Sequence, residues 1–316
     1  MLWLVTGGAG FIGSHLVEEL LRRGEKVRVL DNFSTGKREN IEEIKRALTN
    51  QSSIINNLEV IEGDIRSYHT VREAVVDVDY ILHQAALPSV PRSIKDPITT
   101  NEVNVGGTLN ILEAAKSAAV KKVIYASSSS IYGDLPALPK HEDMSPEPIS
   151  PYAVSKLAGE KYCRVFYEFY KLETVVLRYF NIFGPRHDPT SQYSAVVPKF
   201  ISLMRQGKQP MVYGDGEQTR DFTHVSNVVQ ANLLAIESKN VAGKVFNIAC
   251  GKGISVNTLV KEINNILNRN ISPIYTEPRV GEVKHSEASI VQANKKLGYA
   301  PNISFEEGLR KTIEAW

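Results

Sequence analysis

Tyr152 and Lys156 stand four residues apart, and Ser128 lies 24 residues before Tyr152 within the run Ser127-Ser128-Ser129-Ser130. On a helix, a spacing of four stacks two side chains on one face, so a phenol and an ammonium placed this way can serve one ligand. With a serine hydroxyl they form the parts of an acid–base centre that moves a proton on and off a substrate oxygen. An unperturbed phenol ionises near pH 10, at about the top of the useful range. An ammonium about 4 Å away, at an effective dielectric of about 20, contributes roughly 4 kcal/mol, or about three pKa units. Lys156 is therefore expected to bring Tyr152 toward neutrality. Spacing alone does not select this pair, because Tyr167 and Lys171 repeat it and any such pair can be a solvated helix face. Position selects it: Ser150 reads as an N-cap and Pro151 as the first helical residue, which puts Tyr152 in the first turn, directly after a strand that ends in the serines.

The amino end carries the second chemical signal, Thr6-Gly7-Gly8-Ala9-Gly10-Phe11-Ile12-Gly13-Ser14, immediately after an apolar run. Gly7, Gly10 and Gly13 suit a tight strand-to-helix turn, a close approach of backbone amides to a diphosphate, and a helix lying close to the sheet. Gly8 and Gly13 also have the separation of a P-loop, but position 14 is Ser14, so the lysine that reaches the outer phosphates is missing. Asp31 ends the second strand 18 residues after Gly13, where a carboxylate can accept hydrogen bonds from the adenosine ribose. Its charge opposes a 2′-phosphate, which favours NAD over NADP; Arg28 and Lys37, close by in sequence, are the residues that leave NADP open.

These groups need a scaffold, and the pattern supplies one. Short runs apolar on successive residues fall at Leu2–Thr6, Lys26–Leu30, Leu58–Glu62, Tyr80–Gln84, Lys122–Ser127, Thr174–Leu177 and Lys244–Ala249. Strands of that kind are buried on both faces, as in a parallel sheet. Helices are expected at Phe11–Arg23, Glu39–Leu48, Pro97–Ser117, Pro151–Tyr170 and Val256–Leu267. The fold class is α/β, a Rossmann-like doubly wound parallel sheet with a smaller C-terminal lobe. The division expected is residues 1–180, to which the chain returns around 222–250, and residues 181–316.

Composition removes several function classes. Charged residues are 23% and hydrophobic residues 42%, so neither a disordered chain nor a disulfide scaffold is indicated. A net charge of +2 without a long basic run gives no surface for nucleic acid. Cys163 and Cys250 match no zinc spacing, and the seven histidines include no His-x-x-x-His pair. A reduced, cytoplasmic, metal-free protein without a membrane span is expected.

With these residues in place, the chain resembles the extended short-chain dehydrogenase/reductases, and among them the UDP-sugar 4-epimerases, over essentially its whole length. The resemblance rests on the Gly-rich turn, Asp64-Ile65, His83-Gln84-Ala85-Ala86, Asn104-Val105, the serine run before Ile131-Tyr132-Gly133, Tyr152 with Lys156, Leu177-Arg178-Tyr179-Phe180-Asn181, and Thr219-Arg220-Asp221-Phe222. It implies an NAD site lined by Gly7, Gly10, Phe11, Ile12, Gly13, Asp31, Asn32, Ser34, Gly36, Asp64, Ile65, Gln84, Ala85, Ala86, Asn104, Tyr152, Lys156 and Phe180. It implies Ser128, Tyr152 and Lys156 as the catalytic group. Ser89, Ser128, Ser129, Tyr152, Asn181, Ala195, Val196, Tyr213, Arg220, Arg279 and Ser286 would hold the UDP-sugar, the arginines suiting a diphosphate through their planar fork.

The implied reaction removes the 4-hydroxyl proton through Tyr152 while hydride passes from C4 to NAD. The 4-keto sugar then turns about its diphosphate bonds and takes the hydride back on its other face. Dehydratases of the family carry Asp-Glu, and decarboxylases a glutamate, where this chain has Ser129 and Ser130. Ser286 occupies a gating position at which a small side chain leaves room for a 2-acetamido group. Ser89-Val90-Pro91-Arg92-Ser93 and Arg186-His187-Asp188-Pro189 likewise resemble the subgroup acting on N-acetylated hexosamines. UDP-N-acetylglucosamine/galactosamine is the expected substrate pair, with UDP-glucose/galactose also accepted. His187, where that subgroup often has an amide, and Ser289, where an aspartate is common, depart from the pattern. A UDP-glucuronate 4-epimerase and a non-catalytic NAD(H)-binding sensor are the alternatives. A homodimer through the Pro97–Ser117 and Pro151–Tyr170 helices is also implied.

Overall fold

A computed structural model of the chain describes residues 1–48, 55–189, 195–278 and 284–316. Seven parallel strands form its central sheet: β1 (Leu2–Thr6), β2 (Lys26–Asp31), β3 (Leu58–Glu62), β4 (Tyr80–His83), β5 (Lys122–Ser128), β6 (Glu173–Tyr179) and, on the far edge, Lys244–Ile248. Their order in space is Lys244–Ile248, β6, β5, β4, β1, β2, β3. The winding reverses between β1 and β4, which pair in parallel from Trp3–Tyr80 to Thr6–His83. A crevice opens at such a switch point, outside the carboxyl ends of the strands.

Why the strands read as continuous apolar runs is visible in β1. Trp3 and Val5 enter one core with Leu16, Val17 and Leu20 of the Phe11–Arg22 helix and Val228 and Ala231 of the Val225–Glu237 helix. Leu4, between them, enters the opposite core with Val71, Ile111 and Leu112, beside Cys163 and Phe166 of the Pro151–Tyr170 helix. A third core, built only from residues beyond 181, gathers Phe183, Phe200, Met204, Phe222, Leu259, Ile263, Phe305 and Leu309.

The helix expected over Pro97–Ser117 changes pitch midway. Pro97–Asn101 and Thr108–Ser117 are α-helical, and Glu102–Gly107 between them winds as a π-helix. Two adjacent glycines weaken the α-helix there, and Asn104 engages the neighbouring segment through hydrogen bonds to the Leu87 amide and carbonyl. Wide turns of this kind cluster at functional sites. Among the described residues, no helix is long and apolar enough to cross a membrane.

Candidate active site

Ser150 caps the Pro151–Tyr170 helix by accepting from the Ala153 amide at 3.2 Å, with Pro151 at the first helical position. This fixes Tyr152 in the first turn, half-buried, with its phenol facing the Ser128 hydroxyl at the end of β5. Ser128 is itself held, its Oγ accepting from the Ser130 amide at 3.2 Å. One turn on, the Lys156 Nζ donates to the Ala126 carbonyl at 2.8 Å and lies 5.2 Å from the centre of the Tyr125 ring. The phenol, ammonium and hydroxyl are thus assembled at the carboxyl end of β5, next to β4 and one strand from the switch point. Tyr167 and Lys171 sit at the far end of the same helix, where the Lys171 Nζ donates to the Glu168 carbonyl.

One electrostatic expectation does not hold. Burial raises the Tyr152 phenol above its ordinary value, and the hydrogen bond from Ser128, not Lys156, is what opposes the rise. The ammonium is directed at Ala126 instead. Burial brings Lys156 down to about 8, because no carboxylate bonds to it directly. Below about pH 8 the fold carries a buried cation that the unfolded chain would solvate; between about 8 and 10.5 the unfolded chain binds the extra proton, so stability rises with pH through that window. Lys156→Met is accordingly expected to raise the unfolding free energy at pH 7 by up to about 3 kcal/mol, less the lost Ala126 bond, with the gain fading by pH 10. Denaturant melts of both proteins at the two pH values check this.

At the cofactor end, Gly7 takes φ +68°, and a Cβ there would lie 2.8 Å from the Ala85 amide nitrogen. Glycine is what lets the first turn touch the end of β4. A Cβ on Gly13 would overlap the Gly7 carbonyl, so the helix can start this close to the turn only with glycine. Asp31 is buried, raised by that burial, and accepts from the Ala9 amide at 3.0 Å and the Phe33 amide at 2.8 Å. Gly36 packs on it: a Cβ would stand 2.8 Å from both carboxylate oxygens. Asn32 donates to Asp64 at 2.9 Å and accepts from the Ser34 amide at 3.0 Å, and Arg66 holds Asp64 below the usual carboxylate range. Ile65 is buried against Gly107. The Gln84 amide meets Tyr179 and Asn232, both at 3.3 Å, and leads into Ala85 and Ala86.

Two residues of the expected cofactor set are otherwise engaged. Asn104 is 1% exposed, and its amide is spent on Leu87 and on Ser155 at 3.0 Å, so it clamps the segment after β4. Phe180 is fully buried among Ile131, Tyr132, Ala249 and Ala288. The cations near Asp31 are also committed: Arg28 to Glu59 at 2.7 Å and to two carbonyls, Lys37 to Asp188 at 3.1 Å.

The remaining expected residues run from Asn181 onward, except Ser89, whose Oγ caps the Val90–Lys95 helix, and Ser129, which opens the 3₁₀ turn Ser129–Tyr132. Asn181 is joined to the Arg220 segment, its carbonyl accepting from the Thr223 amide at 3.3 Å. Arg220 bonds the Thr219 and Lys284 carbonyls, and the Ser286 amide donates to Thr219 at 3.1 Å, so Arg220 and Ser286 lie on adjoining segments. Asp221 fixes this corner by accepting from the amides of Cys250, Gly251, Lys252 and Ala288. Tyr213 ends the strand Met211–Tyr213, and Ala195 and Val196 begin the Val196–Arg205 helix. Arg279 lies outside the described residues.

Sequence reasoning passed over Glu160, which is buried beneath the serines and grips Arg178 of β6. Its signal was a carboxylate on the same helical face as Tyr152 and Lys156. Among the described residues, no cluster of three or more His, Cys, Asp or Glu side chains could hold a metal.

The model of the NAD-dependent epimerase/dehydratase family matches residues 3–249. The chain belongs to that family. A putative UDP-glucose 4-epimerase of Methanocaldococcus jannaschii is 37% identical, over 98% of this chain and 96% of its own. The UDP-N-acetylglucosamine 4-epimerase of Methanobrevibacter ruminantium M1, solved with UDP-N-acetylmuramic acid, superposes with a TM-score of 0.92 at 41% identity, covering 99% of this chain and 97% of that one. The UDP-glucose 4-epimerase of Thermotoga maritima, solved with UDP-glucose, gives 0.92 at 38%, covering 100% and 98%. The family cofactor, NAD, fits the glycine turn, where Gly7 and Gly13 admit no Cβ, and the buried carboxylate at the end of β2, whose charge opposes a 2′-phosphate.

Proposed function

We propose that the protein is a UDP-hexose 4-epimerase that accepts N-acetylated hexosamines, interconverting UDP-N-acetylglucosamine and UDP-N-acetylgalactosamine and also acting on the UDP-glucose/galactose pair. The observation that carries the reading is the gathering of Ser128, Tyr152 and Lys156 at the carboxyl end of β5, one strand from the switch point that the glycine turn borders. Bound NAD supplies the acceptor and donor of hydride at C4. Tyr152, as its phenolate, takes the proton of the 4-hydroxyl and returns it to the 4-keto sugar, the positive charges of bound NAD and of Lys156 favouring that ionised form against the burial that opposes it; Ser128 orients that oxygen, and Lys156 also holds the strand end. Arg220 and Asn181, with Arg279, anchor the UDP group, so that binding energy sits on the part of the substrate that does not react while the hexose is free to turn. On this reading residues 1–180 carry the cofactor and the third core carries the nucleotide sugar.

The sugar preference is supported by Ser286, a small half-buried residue on the segment beside Arg220, and by the likeness to the Methanobrevibacter enzyme. Ser286→Tyr is expected to lower kcat/KM for UDP-N-acetylglucosamine by about 10–200-fold while sparing UDP-glucose. Assays of the native and variant proteins on UDP-N-acetylglucosamine, UDP-glucose and UDP-glucuronate check it; turnover of UDP-glucuronate alone would refute the gate. The active form is a homodimer on this account. Ile98, Val154 and Phe169 are 72%, 53% and 75% exposed on the two helices assigned to the interface, which a second copy would cover. Light scattering is expected to return twice the chain mass of 35.1 kDa.

A further inference from the structure

Glu160 lies one helical turn beyond Lys156 and two beyond Tyr152, and it is 5% exposed. A buried carboxylate is costly unless a counter-charge and hydrogen bonds hold it. Arg178 supplies both, Nε to Oε1 at 2.9 Å and the second fork nitrogen to Oε2 at 2.8 Å. The Ser127 hydroxyl donates to Oε1 at 2.5 Å. Arg178 is anchored in turn by Tyr132 at 2.7 Å, whose hydroxyl donates to Asn247 at 2.8 Å. One face of the helix therefore meets the end of β5, with Lys156 on the Ala126 carbonyl and Glu160 on Ser127, and with Tyr152 facing Ser128. The end of β5 cannot shift along the helix without breaking the Ser127 bond to a carboxylate that Arg178 holds in place.

We propose that Glu160, clamped by Arg178, is a positioning residue of the reaction centre: it fixes the end of β5 that carries Ser128 and supplies the negative charge that keeps Lys156 a cation inside the fold. The kinetic consequence rests on the epimerase reading; the electrostatic one does not. The groups facing Lys156 can be named from each side. From β5 come the Tyr125 ring and the Ala126 carbonyl, from β4 His83, from its own helix Tyr152, Glu160 and Cys163, and from β6 Arg178 by way of Glu160. Burial pushes Tyr125 and Cys163 well up and His83 down to about 3, so all three are neutral near pH 7. Tyr152, also raised, is neutral there too. Among these groups Glu160 is the anion that favours the ammonium, and Arg178, which reaches this side only by way of that carboxylate, exerts no comparable effect on Lys156.

The test follows Lys156 directly. In protein labelled with ¹³C at the lysine ε-carbons, the Lys156 resonance is identified by its loss in Lys156→Met and titrated from pH 6 to 11. Glu160→Gln alone strands Arg178, so the charge-balanced pair Glu160→Gln/Arg178→Met is compared with the native chain. The midpoint, near 8 in the native chain, is expected to fall by at least about half a unit in the pair variant; an unmoved midpoint overturns the electrostatic half. Ser127→Ala, which leaves both charges in place and folds without stranding either, is expected to keep the native midpoint and to lower kcat on UDP-sugar about tenfold at unchanged KM. An unchanged kcat overturns the positioning half. If the native chain turns over no UDP-sugar, the epimerase reading falls while the Lys156 titration still decides the electrostatic half.

Discussion

Tyr152→Phe is expected to lower kcat by about a thousandfold while the protein keeps its fold and its NAD. The substitution removes one oxygen and leaves the ring. Ser128 stays held by the Ser130 amide, and Lys156 stays on Ala126, so the rest of the group keeps its place. What is lost is the proton carrier, and a positioned acid–base group contributes about 10²- to 10⁴-fold. Tyr152 is itself in the expected NAD lining, but phenylalanine keeps its ring and the glycine turn and Asp31 on β1 and β2 do not bond it, so NAD should stay bound. Turnover of UDP-N-acetylglucosamine, with NAD released by acid and quantified, separates the two effects. Activity within a few fold of native would remove Tyr152 from the chemistry, and loss of NAD would assign it to the cofactor site.

Glu160→Gln is the substitution expected to cost most in stability. Arg178 is 4% exposed, and burial alone would push its charge out; the two bonds to Glu160, followed by Tyr132, hold it charged. Removing one partner of a buried pair leaves an uncompensated ion and costs about 3–5 kcal/mol. In a chain of this size that corresponds to a melting temperature lower by roughly 5–8 °C. Replacing both charges should recover most of it, since apolar groups of similar volume often serve as well as a buried pair. Thermal melts of native, single and double variants decide: a single variant that melts with the native chain would show that the pair carries no such weight.

The parts of this molecule that depend on local pattern were legible in advance. Apolar runs located the strands to within one or two residues; the inner strands are covered on both faces and have no polar alternation to interrupt them, whereas the edge strand β3 is half exposed and carries two glutamates. Ser150 and Pro151 located the start of the Pro151–Tyr170 helix, since a cap and a proline act only on their own turn. Contacts made across the fold were not legible. Glu160 looks like any surface carboxylate until β6 brings Arg178 beside it from 18 residues further on. The direction of Lys156 depends on the Ala126 carbonyl, a backbone group with no sequence signature, and this is why the expected effect on Tyr152 failed. Asn104 and Phe180 matched a motif, but the π-turn and the Ile131–Ala249 cluster set their partners.

The central claim is that C4 is inverted through a keto sugar with the hydride held inside the protein. It is tested most directly with UDP-N-acetylglucosamine carrying deuterium at C4, incubated with purified protein in ordinary water without added NAD. The account predicts UDP-N-acetylgalactosamine that retains the deuterium at C4. Absence of the C4 epimer, or a product in which the label has been replaced by solvent hydrogen, would contradict it.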